Sequence, residues 1–412
     1  MKCRRTPKMV KRFLEKSGLL GALVDALEDP RDPRGQKWSF AFLVSRLFLG
    51  VLLACKTMKC LEQITERCGA RIPDSTMAWF VERLNPAPLR QVLIDQVLRQ
   101  HRAKSYAPCG FPFGILTIDG KTNWVGDWEA DPECQRQDGK WHFRVLRACL
   151  TSARSVPCVD QCIIPAGTND GGAFPAFWRG LVESYKHTDL FRAVTLDAGF
   201  ASLENARLVD EDGYGYIVNI KGNQAGMLHE VVRLMRLHGP KLEAETGWEV
   251  TKGTKIKRQL FRLTKEIVDL GGWPHIRQVW FVRQITRDWK GGESVFERVY
   301  ATNLLVNALN PDCILRVVRR HWAIENDCNG TLDIVWGEDA HAMTANKKHV
   351  AEHQPLRVFM WLNMLAYNAL TLMRNVHLRI RRTWDEIFAA LRDVLFTRRP
   401  LATEEVLAFV LA

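Results

Sequence analysis

Three acidic residues sit where a phosphodiester-cleaving site could form. Asp119 closes the short apolar, β-rich run ILTID, and Asp197 closes the similar run in FRAVTLDAGF. Glu325 lies in RRHWAIENDCNGTLDIVWGEDA (319–340), just after His321 and Trp322. In open α/β sheets, sites form beyond the carboxyl ends of strands. If the two Asp-bearing strands are neighbours, their carboxylates converge, and converging carboxylates repel unless a cation or proton intervenes. Mg²⁺, a hard cation that prefers oxygen ligands, is the usual answer, with Mn²⁺ a substitute. A third acid would complete a site for one or two such ions, able to activate a water or hydroxyl and stabilise the leaving oxygen. Glu325 is the leading third acid. On an α-helix it shares a face with His321, Cys328 and Asn329. Asp333, two turns on, competes with it, whereas Asp327, Glu338 and Asp339 point elsewhere or lie past Gly337. An Asp after a strand is also an ordinary turn former. P-loop, zincin and G-x-S-x-G patterns are absent.

The elements needed to position these acids follow from periodicity. Up to about residue 105 the chain reads as helices, interrupted by the turn DPRDPRGQ, with Ser75 expected to cap DSTMAWFVERL. From ILTID onward strands and helices alternate, which argues for an α/β sheet. WHFRVLRACLTS and PCVDQCIIPA read as strands, SLENARLVDEDG as a helix capped by Ser202, and YGYIVNIKGNQ as a strand and polar turn. From about 245 to 305, long alternating strands and the turn WKGGES predict an antiparallel insertion. Asn310 and Pro311 then open a helix expected to run on through Glu325. PLRVFMWLNMLAYNALTLMR reads as an apolar helix against the sheet.

Composition narrows the partners. The 412 residues carry a net charge of +12, which favours an anionic partner, nucleic acid first. The eleven cysteines contain no C-x-x-C pair, and fit buried thiols in a reducing, cytoplasmic setting. The longest apolar run, residues 40–55, is too short and too charged to span a membrane.

Six further residues are candidate DNA contacts: Lys121 beside the first acid, Lys221, Asn223 and Gln224 in a loop after a strand, and Arg320 and His321 ahead of Glu325. Trp124 and Trp128 read as core residues or as stacking groups in a loop. The basic stretch TKGTKIKRQ (251–259) reads as a phosphate-binding or solvated strand edge.

Taken in order, these segments resemble a known family. LEDPRDPRGQKWSFAFLVSRLFLGVLLACKTMKCLEQI, LTIDGKT, TLDAGF, YIVNIKGNQ and HWAIEN…LDIVWGED are similar to blocks of bacterial insertion-sequence DDE transposases, in the group that includes the H-repeat-associated proteins. The resemblance implies an α/β, RNase H-like catalytic core with a β-rich insertion and a helical, DDE-associated N-terminal domain. The expected division is 1–109 helical (DNA-end binding or dimerisation), 110–244 core, 245–305 insertion, 306–376 core with the Glu helix, and 377–412 a basic, helical tail. It implies Mg²⁺ held by Asp119, Asp197 and Glu325. It also implies cleavage at terminal inverted repeats, strand transfer into target DNA, and a homodimer on DNA. A catalytically silent DNA-binding relative and a metal-dependent nuclease on the same scaffold are the alternatives. The chain departs from the family at Asp327, Cys328, Asn329 and Gly330, where many relatives carry Leu-His-Trp. It departs again at Val318 and Leu332, which occupy the Tyr and Lys positions of the broader signature.

Overall fold

The computed structural model describes residues 17–34, 36–126, 128–251, 253–264, 270–340, 355–377 and 383–395. Among the described residues five helices come first: α1 (Leu19–Ala26), α2 (Phe40–Leu52), α3 (Met58–Arg67), α4 (Asp74–Val81) and α5 (Leu89–Arg102). Ser39 caps α2 by accepting from the Phe42 amide, and the helix is buried from Phe42 to Leu52. Even Arg46, the charge that interrupts the apolar run, is buried, its guanidinium 4.7 Å from the Phe42 ring centroid. Ser75 does not cap α4. Asp74 is already in the first turn, and its carboxylate takes the Ser75 amide instead. Among the described residues no helix is long and apolar enough to cross a membrane.

One mixed sheet of eleven strands organises the rest. β1 (Ile115–Gly126), β2 (Gln135–Gln137), β3 (Lys140–Leu150) and β4 (Cys158–Ile163) are antiparallel neighbours on one side. Helix α6 (Asp170–Tyr185) crosses to β5 (Ala193–Leu196), which pairs parallel with β1. Helix α7 (Leu203–Glu211), capped by Ser202, leads to β6 (Gly215–Ile220), parallel to β5. This order, antiparallel strands followed by two parallel ones, is the RNase H-like core. Helix α8 (Ala225–His238) leads to β7 (Leu242–Glu245), β8 (Glu249–Thr251), β9 (Thr254–Leu263), β10 (Gln278–Arg287) and β11 (Glu293–Thr302). These strands are antiparallel, as alternation predicts, and β11 pairs with β6, so the β-rich segment continues the core sheet.

α9 (Pro311–Arg320) opens under an Asn310 cap with Pro311 in its first turn. It packs on one face of the sheet through Ile314, Leu315, Val317 and Val318. α10 (Pro355–Leu372) is apolar on nearly every side and correspondingly buried. Its Asn368 grips Cys158 from both directions, accepting from the backbone N–H at 2.9 Å and donating to the carbonyl at 2.7 Å. α1–α4 and α10 share a single apolar cluster with Val145 and Cys149 of β3, joined by Ile387 and Leu391 of α11 (Trp384–Leu395). The rest of the basic tail lies outside the described residues.

Candidate active site

The parallel pairing of β1 with β5 ends at Ile118 opposite Leu196. Asp119 and Asp197 are the next residue on each strand, so adjacent strands deliver two carboxylates to one place. Asp119 does not end its strand, contrary to the sequence reading. β1 runs seven residues further, to Gly126, because β3 continues to pair with it, placing Arg147 opposite Asp119. Trp124 therefore belongs to a strand, its ring 5.3 Å from that of His142, whereas Trp128 packs against the core. A side chain at Gly120 would crowd the site. The carboxyl carbon of Asp170, at the start of α6, lies 2.5 Å from where a Cβ would stand.

Below the acids, the site floor is a line of buried hydroxyls. Thr117 Oγ1 lies 2.8 Å from Thr151 Oγ1 and 2.7 Å from Thr195 Oγ1, and His321 Nδ1 lies 2.9 Å from Thr195 Oγ1. Burial, helped by Arg298 and Lys221, pushes His321 down to about 4, against the pull of Asp197. The imidazole is therefore neutral near pH 7.

Glu325 is not on an α-helix. After Arg320 the chain makes a turn and enters a π-helical stretch, Ile324–Asn329, with Gly330 donating to the Glu325 carbonyl. π-turns concentrate at functional sites. The wider turn sends Ile324, Cys328 and Asn329 into the core and leaves Glu325 exposed. The face-sharing expected from α-helical spacing is therefore lost for Cys328 and Asn329.

The three acids feel one another. Burial first, then the charges of Glu325, Asp197 and Asp170, push Asp119 up to about 7, with the Gly120 amide opposing. Partial burial and Asp197 also raise Glu325, while Arg298 and Lys221 pull it down. Asp197 behaves differently. Burial would raise it, but the Ala198 amide, Lys221 and Asn219 outweigh that and hold it below the usual carboxylate range. Asn219 Nδ2 donates to Asp197 at 3.1 Å, and Lys221 Nζ at 3.2 Å. Among the described residues, no three His, Cys, Asp or Glu side chains are already close enough to hold a metal ion. The acids are within electrostatic reach but not drawn in to ligand distance.

The candidate DNA contacts are engaged within the chain. Lys121 is not exposed: its ammonium bonds Asp333, and Glu338 at 3.0 Å. Asp333, the competing third acid of the sequence reading, is thus paired with Lys121. Asn223 donates to the Ala198 carbonyl at 2.6 Å and Gln224 to the Ala201 carbonyl at 2.8 Å, bracing the turn after Asp197. Arg320 donates to the carbonyls of Thr151 and Ala153. Lys221 alone of the six keeps a half-exposed charged end beside the acids. In the basic stretch 251–259, Lys257 pairs with Glu245 and Arg258 with Glu249.

Two contributors were not legible. Arg298 of β11 stacks over Trp322 at 5.0 Å and faces both Glu325 and His321. Asn219 of β6 holds Asp197. Neither carries a signal beyond strand alternation.

A family model described as a transposase DDE domain matches residues 114–368, from just before β1 to within α10. No curated protein matches the chain.

Proposed function

Because the chain belongs to the transposase DDE domain family, we propose that Asp119, Asp197 and Glu325 form a Mg²⁺-dependent site that cuts DNA at transposon ends and joins the ends to target DNA. One observation carries this reading: two carboxylates leave neighbouring parallel strands at the same level, with a third within electrostatic reach, and burial together with the charges of the other two pushes Asp119 up to about 7. An all-carboxylate donor set, partly buried and mutually repelling, suits a hard divalent cation such as Mg²⁺, with Mn²⁺ a substitute. When bound, such an ion lowers the cost of charge on the attacking and leaving oxygens.

The chain's own groups supply the rest. Asp197, kept ionised by the Ala198 amide, Lys221 and Asn219, is the fixed anionic anchor. Asp119, whose proton affinity is raised, would hold the cation in place of a proton. Glu325, raised and exposed, is placed to accept the proton of the attacking water. The water oxygen bonds to phosphorus, the P–O3′ bond breaks, and the freed 3′-hydroxyl then attacks a target phosphodiester in the same sense. Lys221 and Arg298 border the acids and offer positive charge to the DNA backbone. The N-terminal helices recognise the terminal repeats or mediate dimerisation on DNA.

The test uses duplexes carrying the terminal repeats of the element that encodes this protein, with Mg²⁺. Wild type should nick at the repeat end and form joined products, and Asp119→Asn should do neither. Equal nicking by Asp119→Asn would reject the site. Nicking without joined products would leave a nuclease, and binding without nicking a silent DNA-binding protein.

A further inference from the structure

Beside the acids lies a buried ionic cluster that the proposed chemistry does not use. Arg147 of β3 is fully buried directly opposite Asp119. Its Nε donates to Gln161 at 3.2 Å, its Nη1 to Asn329 Oδ1 at 2.7 Å, and its Nη2 to Glu338. The second oxygen of Glu338 accepts from Lys121 of β1 at 3.0 Å, and Lys121 also bonds Asp333. Two cations thus meet two anions, and the cluster is neutral. It joins β1, which carries Asp119, through β3 to the turn that carries Glu325. Lys121 is two residues past Asp119, Asn329 is four past Glu325, and Arg147 lies on β3, which pairs with β1 opposite Asp119.

Stability is a poor reason for such a cluster. Buried ion pairs often gain little over apolar side chains of the same volume, because desolvation cancels the attraction. What they add is directionality. A hydrophobic contact tolerates rotation of a helix about its axis, and a three-way bond through a planar guanidinium does not. The π-turn makes this matter, since a change to ordinary α-helical winding would turn Glu325 relative to Asp119.

We infer that Glu338 is a positioning residue: by bridging Lys121 and Arg147 it locks the rotation of the Ile324–Asn329 turn and so sets Glu325 against Asp119. This rests on the proposed role of the acids in holding a divalent cation. Remote hydrogen-bonded partners of metal ligands commonly tune affinity by roughly 10–100-fold.

Two readouts on full-length Glu338→Gln test it. The first is hydrogen–deuterium exchange on the metal-free protein. Amides of residues 324–336 should exchange faster than the loss of global stability, read from the β5 amides, accounts for. The second is a Mn²⁺ titration followed by the paramagnetic resonance of the free ion, in which affinity should fall roughly 10–100-fold. Asn329→Leu, which cuts only the helix-side bond, gives the same two readouts if Glu338→Gln does not fold. Uniform acceleration across the chain, or none, overturns the inference. So does local loosening with Mn²⁺ affinity unchanged in a protein that binds the ion. If wild type neither binds Mn²⁺ nor nicks DNA, the proposed function falls, and the exchange measurement still decides whether the clamp exists.

Discussion

His321 Nδ1 and Thr195 Oγ1 lie 2.9 Å apart, tying the helix that carries Glu325 to the strand that carries Asp197. Thr195 is two residues before Asp197, and His321 is four before Glu325. The same hydroxyl reaches Thr117, two residues before Asp119. One buried side chain therefore touches all three acid-bearing segments. Thr195→Val keeps the shape and removes the bonds, leaving Thr117 and His321 short of a partner. The expected cost is about 1–3 kcal/mol of stability, with a larger loss of nicking than the stability change explains. Chemical denaturation and repeat-end nicking on the same preparation check this. Unchanged nicking would show that the acids do not depend on the junction.

His321 also predicts a pH dependence. Its folded-state value is lowered to about 4 from 6.5, so the folded protein binds the proton less readily than the unfolded chain. The stabilising effect is fully present above about 6.5 and is lost as pH falls toward 4. His321→Gln should flatten the stability profile across that window, by an amount on the order of 1–3 kcal/mol. Urea midpoints at pH 7 and pH 5, for wild type and variant, measure the difference. Parallel profiles would mean that the imidazole titrates normally.

Asp119 should be a stability liability when no cation is bound. Its raised value means that ionisation in the folded state costs free energy, increasingly so as pH rises from about 3.8 to about 7. Asp119→Asn removes that cost. In chelator, the variant should be more stable than wild type at pH 8, by about 0.5–2 kcal/mol, with the gap closing at acid pH. Added Mg²⁺ should stabilise wild type and not the variant. A variant less stable than wild type at pH 8 would mean that the carboxylate makes compensating bonds at the site.

Lys221 offers a test of DNA contact. Removing one phosphate-neutralising cation lowers the slope of log affinity against log salt by about 1. Lys221→Met should do this at the terminal repeats and weaken binding about equally on unrelated duplexes. The same change deprives Asp197 of its ammonium partner, so binding should be measured in chelator, where metal affinity plays no part. An unaltered slope would assign Lys221 wholly to Asp197.

Much of this arrangement was legible from residues alone, and the exceptions share a cause. ILTID and TLDAGF announced strands because a fully buried parallel strand reads as a continuous apolar run. The caps at Ser202 and Asn310 were legible because capping is local. The extension of β1 past Asp119 was not, because GKTNWVG is polar and is held as a strand by the register with β3. Lys121 read as a candidate DNA contact because its partner Glu338 lies 217 positions away in sequence. The π-turn at Glu325 was hidden for the same reason. Helical spacing alone cannot report that Arg147 pulls Asn329 inward.

Gly330 separates local propensity from the demands of the site. Its backbone is ordinary right-handed helix, φ −61° and ψ −34°, so alanine there should gain about 1 kcal/mol from propensity. But a Cβ would lie 3.2 Å from the Glu325 carbonyl oxygen, the acceptor of the Gly330 amide that closes the wide turn. That contact is tight and involves backbone, which yields less readily than a side chain. The two effects oppose, and the propensity gain is the larger only if the turn rewinds toward α-helix. Gly330→Ala should therefore leave the melting temperature near that of wild type while reducing Mg²⁺-dependent nicking, because either crowding or rewinding moves Glu325. Thermal denaturation and nicking at saturating Mg²⁺ are the paired measurements. Wild-type nicking in a variant of equal stability would show that the width of the turn does not set the position of Glu325.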